Sequence, residues 1–223
     1  MSTVTTELET TAIRIPIGGH IWLNADLATP SGAQGLVLFA HGSGSGRLSP
    51  RNRYVASELN LLRMATLLAD LLTEEEEQFD RWGGALRFDI PLLTDRFVNV
   101  VDWARTHSPV DTLPIGVFGA STGSAAALDA AALRPEVVRA VVSRGGRPDL
   151  ATHLGEVKAP TLLIVGGNDT TVLDLNREAD RLLACPKQLA VIPGATHLFE
   201  ERGTLEAVAS AAGAWFQQYL TVR

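Results

Sequence analysis

The segment best equipped for chemistry is a serine set between glycines, Gly119-Ala120-Ser121-Thr122-Gly123. It follows an apolar run, Ile115 to Ala120, that reads as a strand, and it leads into Thr122 to Leu133, a small-residue run that reads as a helix. A serine on so sharp a strand-to-helix turn is held in a strained conformation with its hydroxyl facing out of the sheet. The flanking small residues let strand and helix approach closely. A serine hydroxyl becomes a nucleophile only when a base takes its proton, and an imidazole base needs a carboxylate to hold its tautomer. Both groups occur at the ends of later strands. Asp169 closes Gly166-Gly167-Asn168-Asp169 after a strand at Thr161 to Gly166, and His197 closes Pro193-Gly194-Ala195-Thr196-His197 after a strand at Gln188 to Ile192. Asp174, five residues further on, competes for the acid's role. In a parallel sheet these loops all emerge at the carboxyl edge, so residues far apart in sequence converge there. The chemistry expected is acyl transfer, with Ser121 as nucleophile, His197 as general base and Asp169 as the orienting acid.

A second informative segment is His41-Gly42-Ser43-Gly44-Ser45-Gly46-Arg47, directly after an apolar run at Gly35 to Ala40. Its glycines allow a backbone to come close to a ligand. A dinucleotide fingerprint would also follow a strand, and Asp70 could then meet a ribose. The spacing here is G-x-G-x-G, however, and the loop does not open a helix directly.

The elements that must position these groups alternate along the chain. Strands are expected at Ala12 to Ile17, Ile21 to Leu27, Gly35 to Ala40, Ala65 to Leu72, Ile115 to Ala120, Ala140 to Ser143, Thr161 to Gly166 and Gln188 to Ile192. Helices are expected at Arg51 to Leu62, Arg87 to Thr106 (with Pro91 in its first turn), Thr122 to Leu133, Val172 to Ala184 and Thr204 to Leu220. Continuous apolar strands mixed with helical runs predict an α/β fold: a mostly parallel eight-stranded sheet covered on both faces. The whole chain, 1–223, reads as one domain, with no stretch long enough for a separate lid domain. The site is expected to be open and covered only by loops.

Composition narrows the function classes. With 46% hydrophobic residues among 223, the chain can bury a substantial core, roughly 70% of the surface its unfolded form exposes. Nineteen basic against 25 acidic residues give a net charge of −6, which argues against nucleic acid or an anionic membrane as partner. The lone Cys185 cannot form an intramolecular disulfide, and is read as a small buried hydrophobe. Met1 to Thr11 lacks the features of a signal peptide, and Leu59 to Leu72, the most apolar stretch, carries Arg63 and Asp70. These point to a cytoplasmic protein, monomer or homodimer. No histidines have metal-ligand spacing, so neither metal nor cofactor is expected. His20 is assigned to a turn, His107 to a helix end and His153 to a helix. The acidic run from Thr73 to Asp80 reads as a solvated stretch.

Taken together, His41-Gly42, Gly119 to Gly123, Asp169 and His197 resemble the α/β-hydrolase superfamily, and the compact length resembles its dienelactone-hydrolase-like branch. Members of that branch that act on dienelactone carry a cysteine nucleophile where this chain has Ser121, which shifts the expected substrate to ordinary esters. In that fold the oxyanion of the tetrahedral intermediate is held by two N–H groups. The resemblance assigns them to Thr122, after the nucleophile, and to Ser43, with Gly44 the alternative on that loop. A further departure is Leu61-Leu62-Arg63-Met64, where a glycine would ordinarily end the helix. The arginines that follow the strands could bind a carboxylate or phosphate on the substrate. Arg47 and Arg147 are the named candidates, with Arg51, Asn52 and Arg144 beside them; pairing with Glu74 to Glu77 or Asp149 is the competing fate. The function expected is therefore hydrolysis of small to medium carboxylic esters through an acyl-enzyme. A thioesterase, lactonase, amidase or peptidase would use the same three residues. A non-catalytic binding protein on the same fold is the alternative of another class.

Overall fold

The computed structural model describes Leu8, residues 10–107 and residues 109–221; most of the polar N-terminal stretch lies outside them. Eight strands run in the order of the chain as β1 (Thr10–Pro16), β2 (Trp22–Ala28), β3 (Gly35–Ala40), β4 (Met64–Ala69), β5 (Ile115–Ala120), β6 (Val138–Arg144), β7 (Thr161–Gly166) and β8 (Lys187–Ile192). Six helices accompany them: α1 (Pro50–Leu61), α2 (Glu74–Gly83), α3 (Ile90–Ala104), α4 (Gly123–Leu133), α5 (Thr170–Leu182) and α6 (Thr204–Leu220). The strands form one sheet in the spatial order β1-β2-β4-β3-β5-β6-β7-β8. β1 and β2 pair antiparallel, as do β2 and β4, and the remaining pairs are parallel. This is the mostly parallel eight-stranded α/β sheet that the strand and helix runs predict.

Alternation along the strands explains why the central ones are apolar throughout. Leu36, Leu38 and Ala40 of β3 join one core layer with residues of α3 and α4, whereas Val37 and Phe39 join the other with residues of α1 and α6. Successive side chains point to opposite faces, and both faces are covered, so no position on β3, β4, β5 or β7 is left for water.

Four local expectations are corrected. The acidic run is not merely solvated. It is the start of α2, because Thr73 accepts from the Glu76 N–H and the Glu76 carboxylate accepts from the Thr73 N–H. Four glutamates in its first turn also suit the positive end of the helix dipole. The long helix expected from Arg87 starts later, at Ile90, because Asp89 caps it by accepting from the Leu92 N–H, 3.0 Å away; Pro91 does lie in the first turn. β4 stops at Ala69, level with the end of β3, so Asp70 lies beyond the strand. His153 is not helical and sits before a single 3-10 turn at Leu154–Glu156, where it pairs with Glu156. Where a glycine would end α1, Arg63 takes the left-handed conformation itself, with φ 59°, at a cost of roughly 1–2 kcal/mol. Among the described residues no helix is long and apolar enough to cross a membrane, and no group of three or more metal-ligating side chains occurs.

Candidate active site

Ser121 sits between the end of β5 and the start of α4 with φ 51°. A non-glycine residue held there stores roughly 1–3 kcal/mol, and persists only where its surroundings over-determine it. They do. The Ser121 N–H donates to the Arg144 carbonyl at 3.2 Å. Its carbonyl accepts from the N–H groups of Ser124 and Arg147, both at 3.1 Å, and from the Ser124 hydroxyl at 2.8 Å. The flanking glycines are required by contact. A Cβ on Gly119 would lie 2.4 Å from the Ser124 Cα, and one on Gly123 would lie 2.4 Å from the carbonyl oxygens of Ala40 and His41. The strand, the helix and the β3 loop therefore meet at the serine with no room between them.

His197 leaves β8 on a loop that three sets of contacts hold. The Thr196 hydroxyl and N–H both donate to the Glu201 carboxylate, at 2.6 and 3.1 Å. The Asn168 N–H donates to the Ala195 carbonyl and its side chain to that of Gly194, both at 2.9 Å. Phe199, at φ 54°, is anchored in the core layer beneath α1 and α6. The imidazole Nδ1 lies 2.7 Å from Oδ2 of Asp169, a residue that begins α5 without its carboxylate capping the helix. That leaves the carboxylate available to the histidine. Asp174 is settled as a surface residue: its side chain is 74% exposed and pairs with Arg177 on its own helix.

The segment Arg144-Gly145-Gly146-Arg147 touches both the serine and His197. Its two ends grip Ser121 through the Arg144 carbonyl and the Arg147 N–H. Its middle lies against the histidine, since a Cβ on Gly145 would fall 3.3 Å from the His197 carbonyl oxygen and 3.6 Å from Nδ1. Ser121 and His197 form no hydrogen bond with each other in this structure. Such contacts commonly tighten only once substrate is bound.

The β3 loop closes the other side. Gly42 abuts the serine so closely that a Cβ there would lie 2.8 Å from the Ser121 Cβ and 3.6 Å from its Oγ. His41 holds that glycine in place. Its Nε2 accepts from the Leu71 N–H at 3.0 Å, so the proton is on Nδ1, which donates to the Gly42 carbonyl at 3.0 Å. Burial pushes the His41 pKa down, against the pull of the Gly42 carbonyl and the nearby Asp70, and keeps the ring neutral. The sequence motif pointed to His41 but not to this bracing role, which depends on Leu71 of a different strand's exit. The Ser43 N–H points to the elbow and donates to the Thr122 hydroxyl at 2.8 Å. Gly44, at φ 72°, has open space around its Cα.

The two arginines expected to face substrate are paired within the protein. Arg47 bonds Asp70 through both backbone and guanidinium and lies 3.6 Å from Asp26. Arg147 makes a two-pronged pair with Asp149, at 2.8 and 2.7 Å. Beside the loop, a cavity of about 360 Å³ is walled by residues 41–48, by the leucines Leu72 and Leu93 and by charged side chains including Asp70, Glu77 and Arg81; Ser121, Asp169 and His197 are not among its walls, and Gly42 is the lining residue that abuts the serine.

Comparison with known proteins agrees with this architecture. The chain is 54% identical over 215 residues, 96% of its length, to two strain versions of a Mycobacterium tuberculosis protein whose name provisionally makes it a phosphoribosyl transferase. It spans about half the length of those relatives, 46%. A solved dienelactone hydrolase from Anabaena variabilis is 54% identical, with a TM-score of 0.94, over 96% of this chain and 99% of that one. Est1E from Butyrivibrio proteoclasticus, solved with ferulic acid bound, shares the fold at 19% identity and a TM-score of 0.80, over 93% of this chain and 99% of its own. The family model described as "Dienelactone hydrolase family" matches residues 67–222. With its sheet, elbow serine and histidine–aspartate pair, the chain belongs to the dienelactone hydrolase family.

Proposed function

We propose that this member of the family is a serine hydrolase of carboxylic esters of small to medium size. Ser121 is the nucleophile, His197 the general base and Asp169 the acid that orients it. The observation that carries this reading is the 2.7 Å Asp169–His197 bond beside a serine held at φ 51°. Asp169 accepts the Nδ1 proton, which leaves Nε2 unprotonated and free to take the Ser121 proton as Oγ attacks the ester carbonyl. The N–H groups of Thr122 and Ser43 receive the oxyanion, at roughly 3–4 kcal/mol per donor. The Ser43 N–H is engaged by the Thr122 hydroxyl, and rotation of that hydroxyl about its Cα–Cβ bond hands the donor to the substrate. His197 returns the proton to the departing alcohol, and a water repeats the sequence to release the acid and restore Ser121.

Leu48, Leu72 and Leu93, set among charged side chains in the lining of the 360 Å³ cavity, offer apolar contact to one arm of such an ester. A lactone is a second substrate of the same chemistry, favoured by the name of the 54% identical Anabaena protein; its alcohol stays attached to the acid after ring opening. Hydrolysis of 4-nitrophenyl acetate, butyrate and octanoate beside Ser121→Ala tests the reading. Turnover that disappears in the variant supports it. Wild-type protein that neither turns over any of the three nor takes a fluorophosphonate label at Ser121 overturns it.

A further inference from the structure

α5 starts directly after Asp169, and Asn176 lies about two turns along it, on its buried face. The side chain is fully buried. Its Nδ2 donates to the Gly146 carbonyl at 2.9 Å and to the Val172 carbonyl of its own helix at 2.8 Å. The second bond is local and fixes the side chain against the helix. The first crosses to the segment that touches both Ser121 and His197.

Gly146 is the middle of that segment. On one side of it Gly145 lies against the His197 ring, and on the other the Arg147 N–H holds the Ser121 carbonyl at 3.1 Å. A Cβ on Gly146 would fall 2.0 Å from the Ser143 Oγ and 2.3 Å from the Ser124 Oγ. Gly146 is therefore seated on the same Ser124 hydroxyl that donates to the Ser121 carbonyl. Asn176 joins the helix that carries the acid to the stretch of chain that touches the base and grips the serine.

The cost of the amide points the same way. The Asn176 Oδ1 is buried without a hydrogen-bond partner among the described residues. A buried acceptor left without a donor destabilises a fold, and an apolar side chain of similar shape would avoid that loss. What the amide supplies in return is a fixed Gly146. Asn60 is a buried amide with no such task. Its Nδ2 donates to the Met64 carbonyl at 2.8 Å and to the Thr66 Oγ1 at 3.0 Å. Those bonds lie at the start of β4, at the opposite edge of the sheet from Ser121.

We propose that Asn176 is a positioning residue: by tying Gly146 to α5, it sets His197 and Asp169 in place relative to Ser121. It touches no reacting atom, and its effect on turnover rests on the roles of those three residues proposed above.

Asn176→Leu keeps the branched shape without the N–H groups, Asn176→Ala removes the amide without adding bulk, and Asn60→Leu is the control. For each, kcat and KM on 4-nitrophenyl butyrate are measured together with the urea midpoint. Amide hydrogen exchange is followed at Arg147, whose N–H grips Ser121, and along β5 and β7. Both Asn176 variants are expected to lower kcat about tenfold with KM within about twofold. Exchange at Arg147 should quicken about tenfold while the strand amides keep their rates. Asn60→Leu is expected to lower the urea midpoint and keep the wild-type kcat. Unchanged exchange at Arg147 in the Asn176 variants overturns the positioning role. So does an equal fall of kcat in Asn60→Leu, because turnover would then only follow stability. Faster exchange at Arg147 alone, in a protein whose wild type turns over no ester, upholds the positioning role and overturns the esterase instead.

Discussion

The two sides of the Arg144–Arg147 segment are built on opposite terms. On the α4 side, the Ser121 carbonyl has three donors, Arg147 is locked to Asp149, and Asp169 is bonded to His197. On the α1 side, Arg144 and Arg51 leave buried N–H groups without partners. A satisfied network holds a geometry, whereas buried donors without partners cost stability. The first side accounts for how the serine is kept in a strained conformation.

The comparison can be broken at its strongest point. Ser121→Ala and His197→Ala are each expected to lower kcat on 4-nitrophenyl butyrate by about 10⁴-fold or more. Retention of a tenth of the activity by either variant would remove the elbow from the chemistry. Asp169→Asn should cost about 10³- to 10⁴-fold in kcat by permitting the wrong histidine tautomer, while Asp174→Asn stays within twofold; equal losses in the two would mean that the acid has been misassigned.

A smaller effect concerns stability. If the elbow holds strain for function, Ser121→Gly should lose activity and yet gain up to about 1 kcal/mol, read as a higher urea midpoint with an unchanged slope. A destabilised glycine variant would show that Ser121 is at ease at φ 51°. His41 gives a related signature. Its folded pKa is lowered, so between about pH 6.5 and that lower value the unfolded chain takes up a proton that the folded chain does not. Stability should therefore fall as pH drops below about 6.5, by at most about 1.4 kcal/mol per pH unit. The same slope in His41→Gln would assign that loss to other groups.

The smallest effect sharpens the contrast between arginines. Arg147→Ala breaks a partly exposed pair and should change stability by about 1 kcal/mol or less, read from the urea midpoint. A loss well above that would show that the pair with Asp149 helps to hold the Arg147 N–H on the Ser121 carbonyl.

Much of this molecule was legible in the residues alone. Strand runs such as Gly35–Ala40 and Thr161–Gly166 coincide with the observed strands, because continuous apolar sequence of that length is stable only between two helical layers. The serine, acid and histidine were readable for a related reason: each follows a strand, and a parallel sheet carries all its exit loops to one edge. The caps at Thr73 and Asp89 went unread: the charge of the run behind Thr73 hid the helix that it opens, and the helix expected from Arg87 begins only after Asp89.

Pairing was what the chain could not reveal on its own. Arg47, Arg51, Arg144 and Arg147 are the same residue type at comparable places after strands. Sequence by itself determined that they sit at the sheet's carboxyl edge, along with Ser121, Asp169 and His197. Only the tertiary structure decided that Arg47 meets Asp70, Arg147 meets Asp149 and Arg51 meets Glu200. The physical reason is range. Local sequence sets backbone conformation and burial pattern over a few residues, whereas a guanidinium's partner is set by contacts between segments brought together only when the sheet is assembled.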